Sequence, residues 1–130
     1  MSTPFVSPTT LGDLIKHEHD PDYTRETVTL RAGDAYPVGA VLGRIASSGT
    51  YTLSPAAATP GSEGAEIACA VLLHPVAAST SDSQALVLAR GPVIVADRAL
   101  AFAPSVANAA ALAIKHQQLA AHGIVVRAVA

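Results

Sequence analysis

The chain has 130 residues, of which half are hydrophobic and 14% are charged, and its net charge at pH 7 is −2. This length supports one domain with a single core, and the near-neutral charge, with Lys and Arg spread along the chain, provides no basic field for a nucleic acid backbone. The longest apolar run, residues 67–73, is far shorter than the roughly 20 residues that span a bilayer. The N-terminus also lacks the basic region followed by an apolar one that is typical of a secretion signal. We therefore expect neither nucleic acid nor a membrane as a partner.

Small aliphatic side chains dominate the hydrophobic content, because aromatic residues make up only 4% of the chain and Trp is absent. Small side chains fill little volume per residue. A chain this apolar is expected to leave nonpolar area outside its own core, and the usual place for such area is a subunit interface. The composition therefore predicts an oligomer.

Residues 1–22 differ in composition from the rest of the chain. They contain three prolines, many Ser and Thr residues and scattered apolar side chains that follow no consistent helical or strand period. We therefore expect an extended arm that is disordered or loosely held in the isolated protein, followed by a core domain over residues 23–130. The arm's apolar side chains, which need a surface to bind, are Pro4, Phe5, Val6, Leu11, Leu14 and Ile15.

Short strands are predicted from residue 23 onward. The first covers residues 23–30, with Val28 and Leu30 on one face and threonines on the other. Residues 40–45 and 50–53 flank a Ser-Ser-Gly turn and predict a hairpin. The remaining strands, separated by loops rich in proline, glycine and serine, are predicted at residues 65–73, 85–89, 93–96 and 124–129.

One helix is predicted over residues 105–121, with Ser105 as its N-cap and Gly123 just beyond its C-terminus. Its core-facing stripe, opposite a polar face that includes Asn108, Lys115 and Gln118, is predicted as follows: Val106, Ala109, Leu112, Ala113, His116, Leu119 and Ala120.

A second apolar edge of this helix falls outside the predicted stripe and is formed by Ala110, Ile114 and Ala121. Such an edge is typical of a helix that touches a neighbouring subunit as well as its own sheet. Scattered exposed alanines are the alternative.

The most suggestive chemical motif is the run His17-Glu18-His19-Asp20-Pro21-Asp22. In an extended segment alternate residues face the same way, so both histidines could reach one metal ion, with Asp20 or Asp22 as a third ligand. Without a distant His or Cys partner this is a weak site. A solvated polar segment, or one that makes hydrogen bonds to a partner, is the favoured interpretation.

The other candidate residues lack partners for catalysis. His74, His116 and His122 have no recognisable catalytic partner, and the sequence contains no Gly-x-Ser-x-Gly, phosphate-binding glycine loop, His-Glu-x-x-His or Cys-x-x-Cys motif. Cys69, the only cysteine, lies in an apolar run and is predicted to pack as a small hydrophobic residue. We expect a protein that is not an enzyme and that holds no metal or cofactor.

Four segments of the chain form a pattern in order and spacing: AGDAYPVGAVLG at residues 32–43, ACAVLL at residues 68–73, ARGPV at residues 89–93 and LAAHGIVVR at residues 119–127. In this order and spacing they resemble the head decoration proteins of lambda-like tailed bacteriophages.

The first of these segments is also similar to biotinyl and lipoyl carrier domains, which present a modifiable lysine on a hairpin. The only lysines here are Lys16 and Lys115, so the hairpin predicted around residues 47–49 has no amine to acylate. The carrier interpretation is therefore disfavoured.

The resemblance to decoration proteins implies a loop-rich, β-clip-like fold that is mainly β with one C-terminal helix (α+β). It implies a homotrimer, made in the host cytoplasm, that binds the major capsid protein of the same phage at local threefold sites on the outer surface of the expanded head. Its arm would extend a sheet of the capsid protein by β-augmentation, and the bound trimer would stabilise the head against internal DNA pressure. The resemblance implies no role for the run of residues 17–22.

Overall fold

The structure, a computed structural model, describes residues 14–128. Within this range the chain folds as a single domain that is mainly β, with a closed five-stranded barrel, a separate three-stranded sheet and one long helix near the C-terminus. The predicted fold class, mainly β with a C-terminal helix, is confirmed. The closure of the barrel is a feature that the sequence analysis did not predict.

The barrel contains five strands in the spatial order β2-β4-β3-β5-β6. Their bounds are Arg25–Leu30 for β2, Val41–Arg44 for β3, Tyr51–Leu53 for β4, Ala68–Leu72 for β5 and Ser83–Leu88 for β6. β2 and β6 pair antiparallel along their full length, whereas a single parallel pair, Leu30 with Tyr51, joins β2 to β4 and closes the barrel.

The predicted hairpin and the predicted faces of the first barrel strand are confirmed. β3 and β4 pair antiparallel, and Val28 and Leu30 of β2 are buried in the barrel core while Thr27 is exposed. β2 begins at Arg25 because residues 21–24 form a short helix, α1 (Pro21–Thr24), whose N-cap Asp20 accepts a hydrogen bond from the backbone N–H of Asp22.

The three-stranded sheet lies beside the barrel in the order β1-β7-β8, with bounds Ile15–Glu18, Val93–Ala96 and Ile124–Arg127. β7 is central, pairing antiparallel with β1 and parallel with β8. Ile15, the first residue of β1, and Arg127, the last residue of β8, both lie beside the Val95–Ala96 end of β7. β1 therefore begins at the same end of the sheet at which β8 ends. Side chains from this sheet, the barrel and the long helix share one core cluster.

The long helix, α2, spans Ala109–Ala120 and is shorter at its start than predicted. Asn108, not Ser105, is its N-cap, and the Asn108 side chain accepts a hydrogen bond from Ala111 N at 2.8 Å. The Ser105 hydroxyl instead accepts a hydrogen bond from Ala56 N in a neighbouring loop. The predicted N-cap was therefore wrong by three residues, because the Ser105 hydroxyl is bound by a neighbouring loop and Asn108 caps the helix instead.

The predicted core-facing stripe agrees with the structure only in part. Val106 and Leu119 are buried, whereas Ala109, Ala113 and Ala120 are exposed. Lys115, which was predicted on the polar face, is also buried, because its ammonium is surrounded by oxygen atoms that the sequence pattern does not reveal.

The predicted arm boundary at residue 22 differs from the structure. Leu14 is fully buried in the core cluster, Ile15 packs against that cluster, and residues 15–24 form β1 and α1. A four-residue strand followed by a four-residue helix is too short for either period to show in a sequence. Leu14 and Ile15 thus belong to the folded body, while Pro4, Phe5, Val6 and Leu11 lie outside the described residues.

Candidate functional site

The polar run of residues 17–22, which suggested a metal site, makes contacts that stabilise the fold. Asp20 caps α1, and Glu18 points at the barrel, where it binds Arg25, while the side chains of His17 and His19 are exposed. Over residues 14–128 no group of three or more His, Cys, Asp or Glu side chains is placed to hold a metal ion. The run therefore acts in this fold as the connection between the sheet and the barrel.

Glu18 makes the best-defined polar contacts of that connection. Its carboxylate accepts two hydrogen bonds from the Arg25 guanidinium, from Nε at 3.0 Å and from Nη2 at 2.8 Å, and one from the Thr24 hydroxyl at 2.5 Å. Hydrogen bonding from Arg25 lowers the pKa of Glu18, against an opposing effect of burial, and Thr24 lowers it further. Because the Glu18 side chain is only 8% exposed, this ion pair is shielded from solvent more than an ordinary surface pair.

Contacts within the fold also involve His74, His116 and Cys69. His74 Nε2 accepts a hydrogen bond from Leu86 N at 3.0 Å, and the ring of His116 lies 6.2 Å from that of Phe102. Cys69 packs against the barrel core, as predicted, and burial raises the pKa of its thiol. A raised pKa keeps the thiol protonated and weakly nucleophilic.

Lys115 lies at the buried side of α2, where its ammonium is surrounded by oxygen atoms. Nζ donates to the Ser54 hydroxyl at 2.8 Å and to the carbonyls of Pro55 and Glu66, each at 2.6 Å. Burial lowers the pKa of this ammonium, and the nearby Glu66 carboxylate raises it in part. The contacts tie α2 to both ends of the loop between β4 and β5, and they leave the amine inaccessible to an acylating enzyme.

Two exposed isoleucines flank this buried lysine contact. Ile114 directly precedes Lys115, and Ile67 directly follows Glu66, whose carbonyl accepts from Lys115; their side chains are 50% and 53% exposed. The other members of the predicted helix edge, Ala110 and Ala121, are exposed as well. Ile67 escaped the sequence analysis because it begins an apolar run that predicted uniform burial.

Two features of the described fold are a strand that follows directly on residues 1–13 and a pair of exposed apolar side chains. The first is the β1 root, defined as Leu14 with β1 and its Glu18 contacts. The second is the isoleucine surface, defined as Ile67 and Ile114. None of the described helices is long and apolar enough to cross a membrane.

Comparison with known proteins identifies the group to which such a domain belongs. A family model described as bacteriophage lambda head decoration protein D matches residues 4–124 of the 130. No curated protein matches the chain. The match covers the described fold up to the first residue of β8 and most of the segment that precedes β1, and it confirms the resemblance found in the sequence. The chain therefore belongs to the family of the bacteriophage lambda head decoration protein D, whose members are structural proteins of the phage capsid.

Proposed function

We propose that the protein binds as a homotrimer to local threefold sites on the outside of the expanded head, where it contacts the major capsid protein and stabilises the shell against internal DNA pressure. The observation that carries this proposal is the family match over residues 4–124. The match begins within the N-terminal arm, redefined as residues 1–13, so the arm belongs to the family pattern together with the folded body.

The arm is the proposed main anchor on the capsid, and its side chains carry the favourable free energy of binding. Each backbone hydrogen bond contributes roughly 0.5 to 1.5 kcal/mol net, while ordering a residue costs about 1 to 2 kcal/mol, so the backbone terms of an added strand cancel or fall short. Complete burial of Phe5, Val6 or Leu11 adds roughly 1.5 to 3 kcal/mol for each side chain. Leu14 and Ile15 add nothing, because they are already packed in the fold.

Trimerisation makes this modest anchor effective. Three arms on one rigid body bind the same shell, and such multivalency raises the overall affinity by about 10² to 10⁴. The isoleucine surface and the helix edge of Ala110 and Ala121 supply apolar area that a second and third copy of the chain would cover. A trimer is thus retained where a monomer would dissociate.

Stabilisation of the head follows from selective binding. A ligand that binds the expanded shell and not the unexpanded one lowers the free energy of the expanded state by an amount set by its affinity and concentration. Reversal of expansion and rupture under pressure both require loss of this bound state. Decoration therefore opposes both.

Removal of residues 1–13 tests the arm. We expect the shortened protein to fold and to keep its oligomeric state, because Leu14 and β1 remain, but to fail to sediment with expanded heads. The matched comparison keeps the length of the arm: Phe5→Ala, Val6→Ala and Leu11→Ala together should abolish co-sedimentation, whereas Thr3→Ala, Ser7→Ala and Thr9→Ala together should preserve it. Binding of the shortened protein at wild-type strength would show that the arm is not the main anchor.

A further inference from the structure

The β1 root is held at both ends by different kinds of contact. At its start Leu14 is fully buried in the core cluster with residues of β7, β8 and α2. At its end Glu18 forms the ion pair with Arg25 at the first residue of β2 and accepts the Thr24 hydroxyl. Glu18 thus links the C-terminal end of β1 to the barrel, beside a backbone hydrogen bond from His19 N to the Pro92 carbonyl.

The backbone of β1 contributes less to this attachment than a central strand would. β1 is an edge strand of four residues, paired on one side only, and its register with β7 is interrupted between Ile15 and His17. The other strands of the sheet do not depend on it, since β7 and β8 pair directly with each other over four residues. β1 is therefore the element of the sheet that can separate while the rest of the domain stays folded.

Separation of β1 would change the length of the arm. With β1 in place, the folded body begins at Leu14; with β1 released, the next firmly held residue is Thr24, which is fully buried and whose carbonyl accepts from Ala89 N at 2.8 Å. The stretch of chain between Phe5, the first of the proposed anchoring apolar side chains after Pro4, and the first held residue then grows from 8 to 18 residues. Effective concentration falls roughly as the −3/2 power of tether length, which is about threefold for each arm.

We infer that Glu18 is a positioning residue for capsid binding: its ion pair with Arg25 keeps β1 docked and so sets the short length of each arm. This inference rests on the proposed anchoring role of residues 1–13. In a trimer the second and third arms bind intramolecularly, so release of all three β1 strands lowers retention on the head by about tenfold.

Hydrogen exchange on the free protein tests the attachment itself. In Glu18→Ala we expect the amides of β1 to lose at least tenfold of their protection while those of β7 and β8 keep theirs, with Glu18→Gln intermediate because its amide can still accept from Arg25 and Thr24. Glu26→Ala is the matched control, since Glu26 forms an exposed ion pair with Arg90 and lies outside the β1 root. Unchanged exchange of β1 in Glu18→Ala would overturn the inference.

Dissociation from decorated heads tests the consequence for binding. Glu18→Ala should dissociate about tenfold faster than the wild type at a temperature where both stay folded. Insertion of ten Gly and Ser residues between Asp13 and Leu14 of the wild type should reproduce this rate. A wild-type dissociation rate for Glu18→Ala, or an insertion without effect, would overturn the role in positioning. The variant lacking residues 1–13 distinguishes failure of the proposed anchor from failure of the role of Glu18. If this variant binds heads as strongly as the wild type, the arm is not the anchor, whatever the exchange data on β1 show.

Discussion

Lys115 is the only charged residue among residues 14–128 that is buried, and it organises the contact between α2 and the loop that joins β4 to β5. Its ammonium contacts four oxygens within 3.5 Å, those of the Ser54 hydroxyl, the Pro55 and Glu66 carbonyls and the Gln118 side chain, and none of them belongs to a carboxylate. A buried cation is tolerated when its donors are satisfied. The same contacts fix Glu66 and therefore the neighbouring Ile67, so one side chain supports part of the isoleucine surface.

Replacement of Lys115 by Met should lower the free energy of unfolding by about 2 to 3 kcal/mol, because the buried carbonyls of Pro55 and Glu66 would lose their donor. Chemical denaturation measures the change. Gln117→Met is the control on the same helix, where the side chain is exposed and a change within about 0.5 kcal/mol is expected. Equal stability of the Lys115 variant and the wild type would mean that the contacts contribute nothing net.

The burial of single side chains is the property that the sequence predicts least well. Lysine is rarely buried, so a helical wheel assigns Lys115 to the solvent face, and only the positions of distant carbonyls show otherwise. Leu14 presents the converse case, because a single leucine after a proline-rich segment has no local signal of burial. In both cases the deciding contacts come from residues far away in the chain.

Among the elements, α2 shows how a helix start is chosen between two suitable residues. Ser105 and Asn108 are both good N-caps, and the sequence analysis selected Ser105. The Ser105 hydroxyl is bound to the loop at Ala56, which leaves Asn108 to accept from Ala111 N. The chain thereby assigns one polar side chain to a tertiary contact and the other to the helix.

The cap assignment predicts distinct effects of two alanine substitutions. Asn108→Ala should destabilise the protein by about 1 kcal/mol and reduce the helical signal in circular dichroism, since the first turn of α2 loses its side-chain acceptor. Asn108→Asp should retain stability, because aspartate caps equally well. Ser105→Ala should leave the helical signal unchanged; a loss of helix in that variant instead would show that the cap lies at residue 105.

Elements with strong local signals were predicted well. The β3–β4 hairpin follows from two apolar runs around a Ser-Ser-Gly turn, and the faces of β2 follow from alternation of Val28 and Leu30 with threonines. β1 was missed because its four residues, Ile15–Glu18, contain one apolar side chain and three polar ones. Its pairing with β7 depends on residues some 75 positions away, which no local pattern records.

At the scale of the whole molecule, the family and the fold class were accessible because several weak segments recur in a fixed order. The closed barrel was not, since closure depends on the single parallel pair between Leu30 and Tyr51. Local sequence specifies strands and turns, whereas the number of strands that close a barrel depends on tilt and register. The capsid-binding residues Pro4, Phe5, Val6 and Leu11 stay a prediction.

The proposed trimer makes a prediction about mass. Sedimentation velocity of the wild type should give a species of three times the 13.1 kDa chain mass, and Ile114→Lys should shift it to the monomer, because a charge would replace an apolar contact at each subunit boundary. Gln117→Lys, exposed on the same helix, should leave the trimer intact. A trimer that survives Lys at residue 114 and at residue 67 would place the interface elsewhere.

Barrel closure also bears on how copies of this protein can associate with one another. Closure places five of the eight described strands in a barrel, and the free edges of the three-stranded sheet belong to β1 and β8, each four residues long. Unpaired edges are templates for strand-to-strand polymerisation, which has no natural end point. With such short sheet edges, the proposed trimer would form through side-chain surfaces rather than by pairing of strands between copies.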